Sequence, residues 1–208
     1  MTDPRRTPFT PDAAALVLVD FQGGTMQLIK NIPEDTAKRN GVALAKMAKI
    51  LDMPVVLTSS QEENAQGPII RELREALPDE WEARVQRTGI VNAWDDPNFV
   101  SAIEATGRKQ LVMAGITTDV CLVYPTISAV EDGYAVQAVM DASGSPFGLS
   151  EDMARLRMSD AGVVLTATNT VIAELAQDWS TEAGKQLIGM LFSDILPNVD
   201  PDKTKAAT

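Results

Sequence analysis

Short apolar runs alternate with helical patterns along nearly the whole chain, and this alternation constrains the fold more than any other feature. Residues 14–19 form an unbroken apolar run that ends at Asp20, which is typical of a parallel strand buried on both faces. Similar runs recur downstream with helical segments between them. Since parallel neighbours need crossover connections, the pattern predicts an α/β fold, a Rossmann-like three-layer α/β/α arrangement around a six-stranded, mostly parallel sheet.

The predicted elements divide the chain evenly, without a linker, an internal repeat or a low-complexity segment. We therefore expect residues 1–208 to form one domain, with loose termini at 1–11 and 197–208. The predicted strands are residues 14–19, 54–58, 84–87, 110–114, 134–140 and 163–166. The predicted helices are residues 36–51, 68–76, 96–107, 119–132 and 150–161, with further amphipathic helix in 171–196.

The charge of the chain narrows the choice of partners. A net charge of −11 and a pI near 4.4 disfavour binding to phosphate backbones and to anionic lipid. No apolar run is long enough to span a bilayer, and no apolar segment follows the two arginines near the amino terminus. We predict a cytoplasmic protein that acts on a small molecule rather than on nucleic acid or a membrane.

Histidine and cysteine counts restrict the chemistry further. The chain has no histidine and a single cysteine, Cys121. This excludes a Ser-His-Asp triad, a Cys-His pair, a histidine-ligated metal and an internal disulfide. Any covalent or acid–base catalysis has to use carboxylates, Lys, Arg, Tyr, Ser, Thr or the one thiol, and we expect neither a metal nor another cofactor.

Ligands of open parallel sheets bind beyond the carboxyl ends of the strands, which draws attention to Asp20, Arg87 and Cys121. Cys121 is expected just inside a helix amino terminus, where the dipole favours thiolate and free amides can bind an oxyanion. Position alone fits a small buried hydrophobe equally well. Asp20 alone is typical of a structural cap, and Arg87 alone of a surface cation.

Taken together, the motifs resemble a known group. Residues 19–22 (Val-Asp-Phe-Gln), Arg87 and residues 115–121 (Gly-Ile-Thr-Thr-Asp-Val-Cys) are similar to the isochorismatase-like cysteine hydrolase superfamily. The resemblance extends from about residue 12 to 193. Residues 87–94 (Arg-Thr-Gly-Ile-Val-Asn-Ala-Trp) and 141–144 (Asp-Ala-Ser-Gly) resemble its YcaC-like branch most.

The resemblance implies a division of roles. Cys121 would attack a carbonyl carbon, and Asp20 would take the thiol proton and return it to the leaving group. Arg87 stands where most family amidases have lysine; because arginine does not lose its proton, its role would be electrostatic only. The resemblance also implies a cis peptide between Ile116 and Thr117, with the amides of Thr117 and Cys121 as an oxyanion hole.

Substrate and assembly are less constrained. The lack of histidine argues against a metal-dependent nicotinamidase, and the thiol favours an amide- or ester-like substrate hydrolysed through an acyl-enzyme. Four side chains are candidates for the pocket, although the two aromatic ones fit packing under loops equally well: Gln22, Asn92, Trp94 and Phe147. The resemblance favours a homo-oligomer, with an octamer as one candidate.

Two other functions are compatible with the same residues. A lone activated thiol can react with peroxide or electrophiles as a redox protein, although the chain has no second cysteine to resolve the product. The fold can also serve as a non-catalytic scaffold that binds a metabolite.

Overall fold

A computed structural model describes residues 8–197 and shows a six-stranded sheet with helices on both faces. The strand order is β3-β2-β1-β4-β5-β6, and every neighbouring pair is parallel. The predicted three-layer α/β/α class is confirmed, and the sheet of the described residues is entirely parallel.

At least one helix separates each strand from the next along the chain. The strands are β1 (Ala14–Val19), β2 (Val55–Ser60), β3 (Val85–Arg87), β4 (Gln110–Gly115), β5 (Ala135–Val139) and β6 (Val164–Thr166). The helices are α1 (Gly23–Met26), α2 (Glu34–Ile50), α3 (Arg71–Ala76), α4 (Pro78–Glu82), α5 (Pro97–Ala105), α6 (Val123–Glu131), α7 (Gly148–Asp160), α8 (Thr168–Ala176) and α9 (Glu182–Met190). Short 3₁₀ turns cover Ala93–Asp95 and Met140–Ala142, and π-helical turns cover Thr118–Leu122 and Leu191–Ile195.

Strand β1 lies at the centre of the sheet and is buried along its whole length. It pairs with β2 on one side and with β4 on the other, in register from Ala14 opposite Gln110 to Val19 opposite Gly115. The strand order reverses between β1 and β4, which is the point where open α/β sheets form a crevice. The residues that follow β1 and β4 therefore lie side by side at this crevice.

Successive β1 residues feed two separate cores because side chains alternate across a strand. Leu16 and Leu18 pack with α2, α8 and α9 on one face. Val17 and Val19 pack with α5, α6 and α7 on the other. Burial on both faces explains why the β1 sequence is continuously apolar.

The structure differs from the sequence-based expectation at the amino-terminal end of the described residues. Residues 8–11 were expected to be loose, but Phe9 is buried in the core and its amide donates to Glu174 Oε1 at 2.7 Å. The apolar ring outweighs the polar, proline-rich surroundings that suggested a loose end. The other expected loose residues lie outside the described part of the chain, except Pro197.

Candidate active site

Asp20 and Arg87 form a buried ion pair at the carboxyl edge of the sheet. Arg87 Nη2 lies 2.5 Å and 2.6 Å from the two carboxylate oxygens of Asp20. The two residues are only 2% and 3% exposed. Buried charges of this kind persist where they are paired and hydrogen-bonded, so this ion pair is part of the protein interior rather than a surface contact.

Asp20 is held by its own backbone as well as by Arg87. Its φ of 57° lies in the left-handed region, which ends β1 abruptly and starts a tight turn. Its amide donates to Thr58 O at 2.9 Å, and its carbonyl accepts from Thr25 Oγ1 at 2.6 Å. The carboxylate is thereby fixed at the mouth of the crevice.

The guanidinium of Arg87 is fixed on three sides. Nε donates to Thr58 Oγ1 at 3.0 Å, Nη1 donates to Ile90 O at 2.7 Å, and Nη2 serves Asp20. Sequence reasoning missed Thr58, because a threonine inside an apolar strand carries no signal of a partner. Its hydroxyl, which is fully buried, turns a single ion pair into a small network.

A second ion pair anchors the three-residue strand that carries Arg87. Arg84 donates to both oxygens of Glu62, at 2.7 Å and 2.9 Å, and stacks 3.8 Å above the Trp81 ring. The hydrogen bonds from Arg84 hold the pKa of the Glu62 carboxyl below its usual value. This pair ties β3, which is the edge strand of the sheet, to the loop after β2. Without the pair, β3 would be weakly held.

Cys121 lies in the π-helical turn that precedes α6, and its electrostatics differ from the expectation. Burial raises the pKa of the thiol well above its usual value, and both the charge of Asp20 and a hydrogen bond to its carboxylate act in the same direction. The hydrogen bond to the Thr117 backbone and the charge of Arg87 oppose the rise. The helix terminus favours thiolate, whereas burial and the Asp20 carboxylate favour the protonated thiol.

The peptide between Ile116 and Thr117 is cis, as the motif implied. The two predicted oxyanion donors are in different situations. The Cys121 amide donates to Thr117 O at 2.8 Å, whereas the Thr117 amide makes no bond to another backbone group within residues 8–197. Because the Thr117 backbone hydrogen-bonds the thiol, both predicted donors already have a partner inside the protein.

The loop that carries the thiol is tied to residues 143–145 by three hydrogen bonds. Ser143 Oγ accepts from the Gly115 amide at 3.1 Å, and Ser145 Oγ accepts from the Asp119 amide at 3.2 Å. The third bond runs from the Thr118 amide to the Gly144 carbonyl at 2.9 Å. This segment follows β5, so it braces the β4 loop from the neighbouring strand.

Ser145 is in turn held by a buried carboxylate that sequence reasoning also missed. Its hydroxyl donates to Glu151 Oε2 at 2.7 Å, and Glu151 is only 4% exposed. Arg155 balances that charge, with its Nε 3.1 Å from Glu151 Oε1. A glutamate in the first turn of a helix is usually a surface residue, so the sequence gives no sign of this role.

The four suggested pocket residues have different surroundings. The buried Gln22 side chain bonds both backbone groups of Ser60 and the Gly67 carbonyl, which holds the loop after β2. Asn92 caps the 3₁₀ turn before α5.

Trp94 belongs to the core between α5 and α6. It packs edge-on against Phe99 and Tyr134, and its Nε1 lies 2.6 Å from Asp132. Phe147 is 70% exposed and lines a surface cavity beside Asp119. Phe147 therefore borders open space beside the loop that carries Cys121.

Within residues 8–197, no three acidic or cysteine side chains come close enough together to hold a metal ion. No helix in the same range combines the length and apolar character that crossing a membrane requires.

Comparison with known families decides the membership of the chain. The isochorismatase domain profile matches residues 14–170, which covers both ends of the crevice and the thiol. The chain belongs to the isochorismatase family. Within this family it is 40% identical over 185 residues to the probable hydrolase YcaC of Escherichia coli, covering 89% of this chain and 87% of that protein.

Solved YcaC structures share the fold over nearly the full length. The Pseudomonas aeruginosa YcaC structure, which contains covalent acrylamide, has a TM-score of 0.86 and 36% identity, and the match covers 97% of this chain and 96% of that one. The E. coli YcaC structure, described as an octameric hydrolase of unknown specificity, has a TM-score of 0.85 and 38% identity, with 97% and 95% covered. The YcaC-like assignment made from the motifs is confirmed.

Proposed function

We propose that this isochorismatase-family protein is a cysteine hydrolase that cleaves a small amide- or ester-like substrate, with Cys121 as the nucleophile. The observation that carries the proposal is the buried Asp20–Arg87 pair beside a thiol whose pKa responds to both residues. A carboxylate placed to accept the thiol proton replaces the histidine that this chain lacks.

The first half of the reaction forms an acyl-enzyme. The thiol rests protonated, so Asp20 accepts its proton as the Cys121 sulfur attacks the carbonyl carbon. The carbonyl oxygen becomes an oxyanion that the amides of Thr117 and Cys121 stabilise. Protonated Asp20 then gives the proton to the leaving nitrogen or oxygen as the C–N or C–O bond breaks, leaving a thioester.

The second half uses water in the same geometry. Asp20 accepts a proton from water as the water oxygen attacks the thioester carbon. Collapse of the intermediate breaks the C–S bond, and the proton returns to sulfur as the acid product leaves. Arg87 keeps its charge throughout and stabilises the Asp20 carboxylate whenever that group is ionised.

The relatives support this proposal at a coarser level. The E. coli relative is described only as a probable hydrolase, and its structure as one of unknown specificity. Acrylamide, which is covalently bound in the P. aeruginosa relative, is an electrophile that adds to thiols. The redox alternative is disfavoured, since redox-sensing thiols have lowered pKa values, whereas the pKa of Cys121 is raised.

A homo-oligomer forms a second part of the proposal. The octameric state of the E. coli relative supports it, because the two chains match over 97% and 95% of their lengths. The size of the assembly is open to direct measurement.

Intact-mass analysis after exposure to a panel of small amides and activated esters tests the nucleophile. We expect an adduct of acyl mass on the wild type and on a Ser180→Ala control, and none on Cys121→Ser. Ser180 is exposed on the loop before α9, so its loss should not affect the site. Failure of every panel member and of iodoacetamide to modify the folded wild type would overturn the proposal.

A further inference from the structure

The outward face of α7 is unusually apolar. Leu149 is 73% exposed, Leu156 is 56% exposed and Met153 is 46% exposed, and Phe147 continues the patch just before the helix. Scattered apolar residues are normal on a surface, but four large ones on one element form a patch of the kind that marks a contact site.

Helical geometry shows that these residues are not the edge of a buried face. At about 100° per residue, positions 149, 153 and 156 share one narrow stripe. The residues that α7 buries, Glu151, Ala154 and Met158, point to the opposite side. The stripe is therefore the part of α7 farthest from the core, where an ordinary surface helix is polar.

The stripe forms one wall of a cavity beside the nucleophile loop. This cavity has a volume of about 440 Å³, and its lining residues are Asp119, Phe147, Leu149, Ser150, Met153, Ala154 and Arg157. Asp119 Oδ1 is buried and has no hydrogen-bond partner among the described residues. Asp119 precedes Cys121 by two positions, so whatever covers the stripe also lies next to the active-site loop.

Local charge permits a second copy to approach here. The chain carries a net charge of −11, which makes most pairs of faces repel each other. On α7 three acids face two bases, which leaves a net charge of −1: Arg155 pairs with the buried Glu151, and Arg157 offsets one of Asp152 and Asp160. An apolar stripe on a helix with so little charge suits a copy of the same chain better than it suits a strongly charged partner.

We infer that a second copy of this chain docks on the α7 stripe, defined as Leu149, Met153 and Leu156, and covers the cavity that Asp119 lines. The inference rests on the homo-oligomer proposed above and adds which face makes the contact and what the contact encloses. A donor from the docked copy would also supply the partner that Asp119 Oδ1 lacks.

Charge insertion into the stripe tests the contact. Leu156→Glu leaves the cavity lining intact, and Ser159→Glu places the same charge on the same helix outside the stripe. Light scattering coupled to size-exclusion chromatography should show a smaller assembly for Leu156→Glu and the wild-type mass for Ser159→Glu. Circular dichroism checks folding, and Leu149→Glu serves if Leu156→Glu does not fold.

A labelling experiment tests whether docking covers the cavity. In a Cys121→Ser background, Met153→Cys places the only thiol on the stripe. Its modification by a maleimide-linked polyethylene glycol should be at least tenfold slower than in the same protein carrying Leu156→Glu. Equal rates in the two backgrounds would overturn the covering, and an unchanged assembly mass for Leu156→Glu would overturn the contact.

Failure of this inference is distinguishable from failure of the proposed hydrolase. Adduct formation at Cys121 does not depend on the assembly mass. If the thiol is reactive and Leu156→Glu leaves the assembly mass unchanged, only the α7 contact is rejected. A wild type that is monomeric at every concentration rejects the contact and the homo-oligomer together. An unreactive thiol with a disrupted Leu156→Glu assembly rejects the nucleophile and keeps the contact.

Discussion

Arg87 reaches Asp20 across an intervening strand. Arg87 is the last residue of β3 and Asp20 follows β1; these strands lie on either side of β2 and are therefore about 9–10 Å apart at their backbones. The guanidinium spans this gap and bonds Thr58 of β2 on the way, at 3.0 Å. A long, planar side chain with several donors is suited to this crossing, which gives a structural reason for arginine here.

Arg87→Lys should weaken this network without removing its charge. A lysine ammonium cannot serve Asp20, Thr58 and the Ile90 carbonyl in the fork geometry of a guanidinium. We expect the free energy of unfolding to fall by about 1–3 kcal/mol, since buried acceptors lose partners. Urea denaturation measures this loss.

Arg87→Met is the matched comparison, because it leaves the Asp20 carboxylate buried without a cation. The expected loss of unfolding free energy is about 3–5 kcal/mol. A lysine variant as unstable as the methionine variant would show that geometry, rather than charge, is what Asp20 requires.

Asp20→Asn should separate thiol acidity from catalysis. Removing the carboxylate eliminates two of the influences that raise the pKa of Cys121, so the pKa should fall. Asparagine is similar in shape and tolerates the positive φ at this position. Alkylation by iodoacetamide near pH 7.5 should become faster, while hydrolysis of any substrate found should be lost with the base.

The control for this experiment is Asp141→Asn, which changes a carboxylate at the end of the neighbouring β5 region that bonds Thr168. Its alkylation rate should stay at the wild-type level. Slower alkylation in Asp20→Asn than in the wild type would contradict the assigned direction of the pKa shift.

The strands and the proposed catalytic positions were accessible from the sequence because they depend on local patterns. The β1 prediction of residues 14–19 matches the structure at both ends, since an apolar run buried on both faces has sharp limits. Asp20 and Cys121 were noticed because they follow predicted strands, and the motif resemblance grouped them; the structure shows that the two strands are neighbours where the strand order reverses.

The supporting residues were not accessible, because their roles depend on contacts distant in sequence. Thr58 is separated from Arg87 by 29 positions, and Ser145 from Asp119 by 26. The surroundings that raise the pKa of Cys121 were not accessible for the same reason. A helix terminus can be read from the chain, whereas the enclosure of the thiol and the approach of Asp20 cannot.

Ser145→Ala should loosen the nucleophile loop. It removes the acceptor of the Asp119 amide and leaves the buried Glu151 with one bond fewer. The expected destabilisation is about 1–3 kcal/mol, and the alkylation rate of Cys121 should change because its loop is less fixed. Ser150→Ala is the control, since that hydroxyl bonds only the Phe147 carbonyl at the exposed start of α7.

The raised pKa of Cys121 also predicts how stability depends on pH. In the unfolded chain the thiol ionises near pH 8.5, as a roughly unperturbed cysteine does. The folded protein keeps its proton to higher pH, because burial and Asp20 oppose ionisation. Above about pH 8.5 the unfolded state therefore binds fewer protons than the folded state, and this group makes stability fall by up to about 1.4 kcal/mol per pH unit until the folded thiol ionises too.

Urea unfolding between pH 7.5 and 10, in reductant, should show a steeper decline for the wild type than for Cys121→Ser. The serine variant retains every other titrating group, so the difference between the two curves isolates the thiol, and a difference that stays constant with pH would contradict the shift.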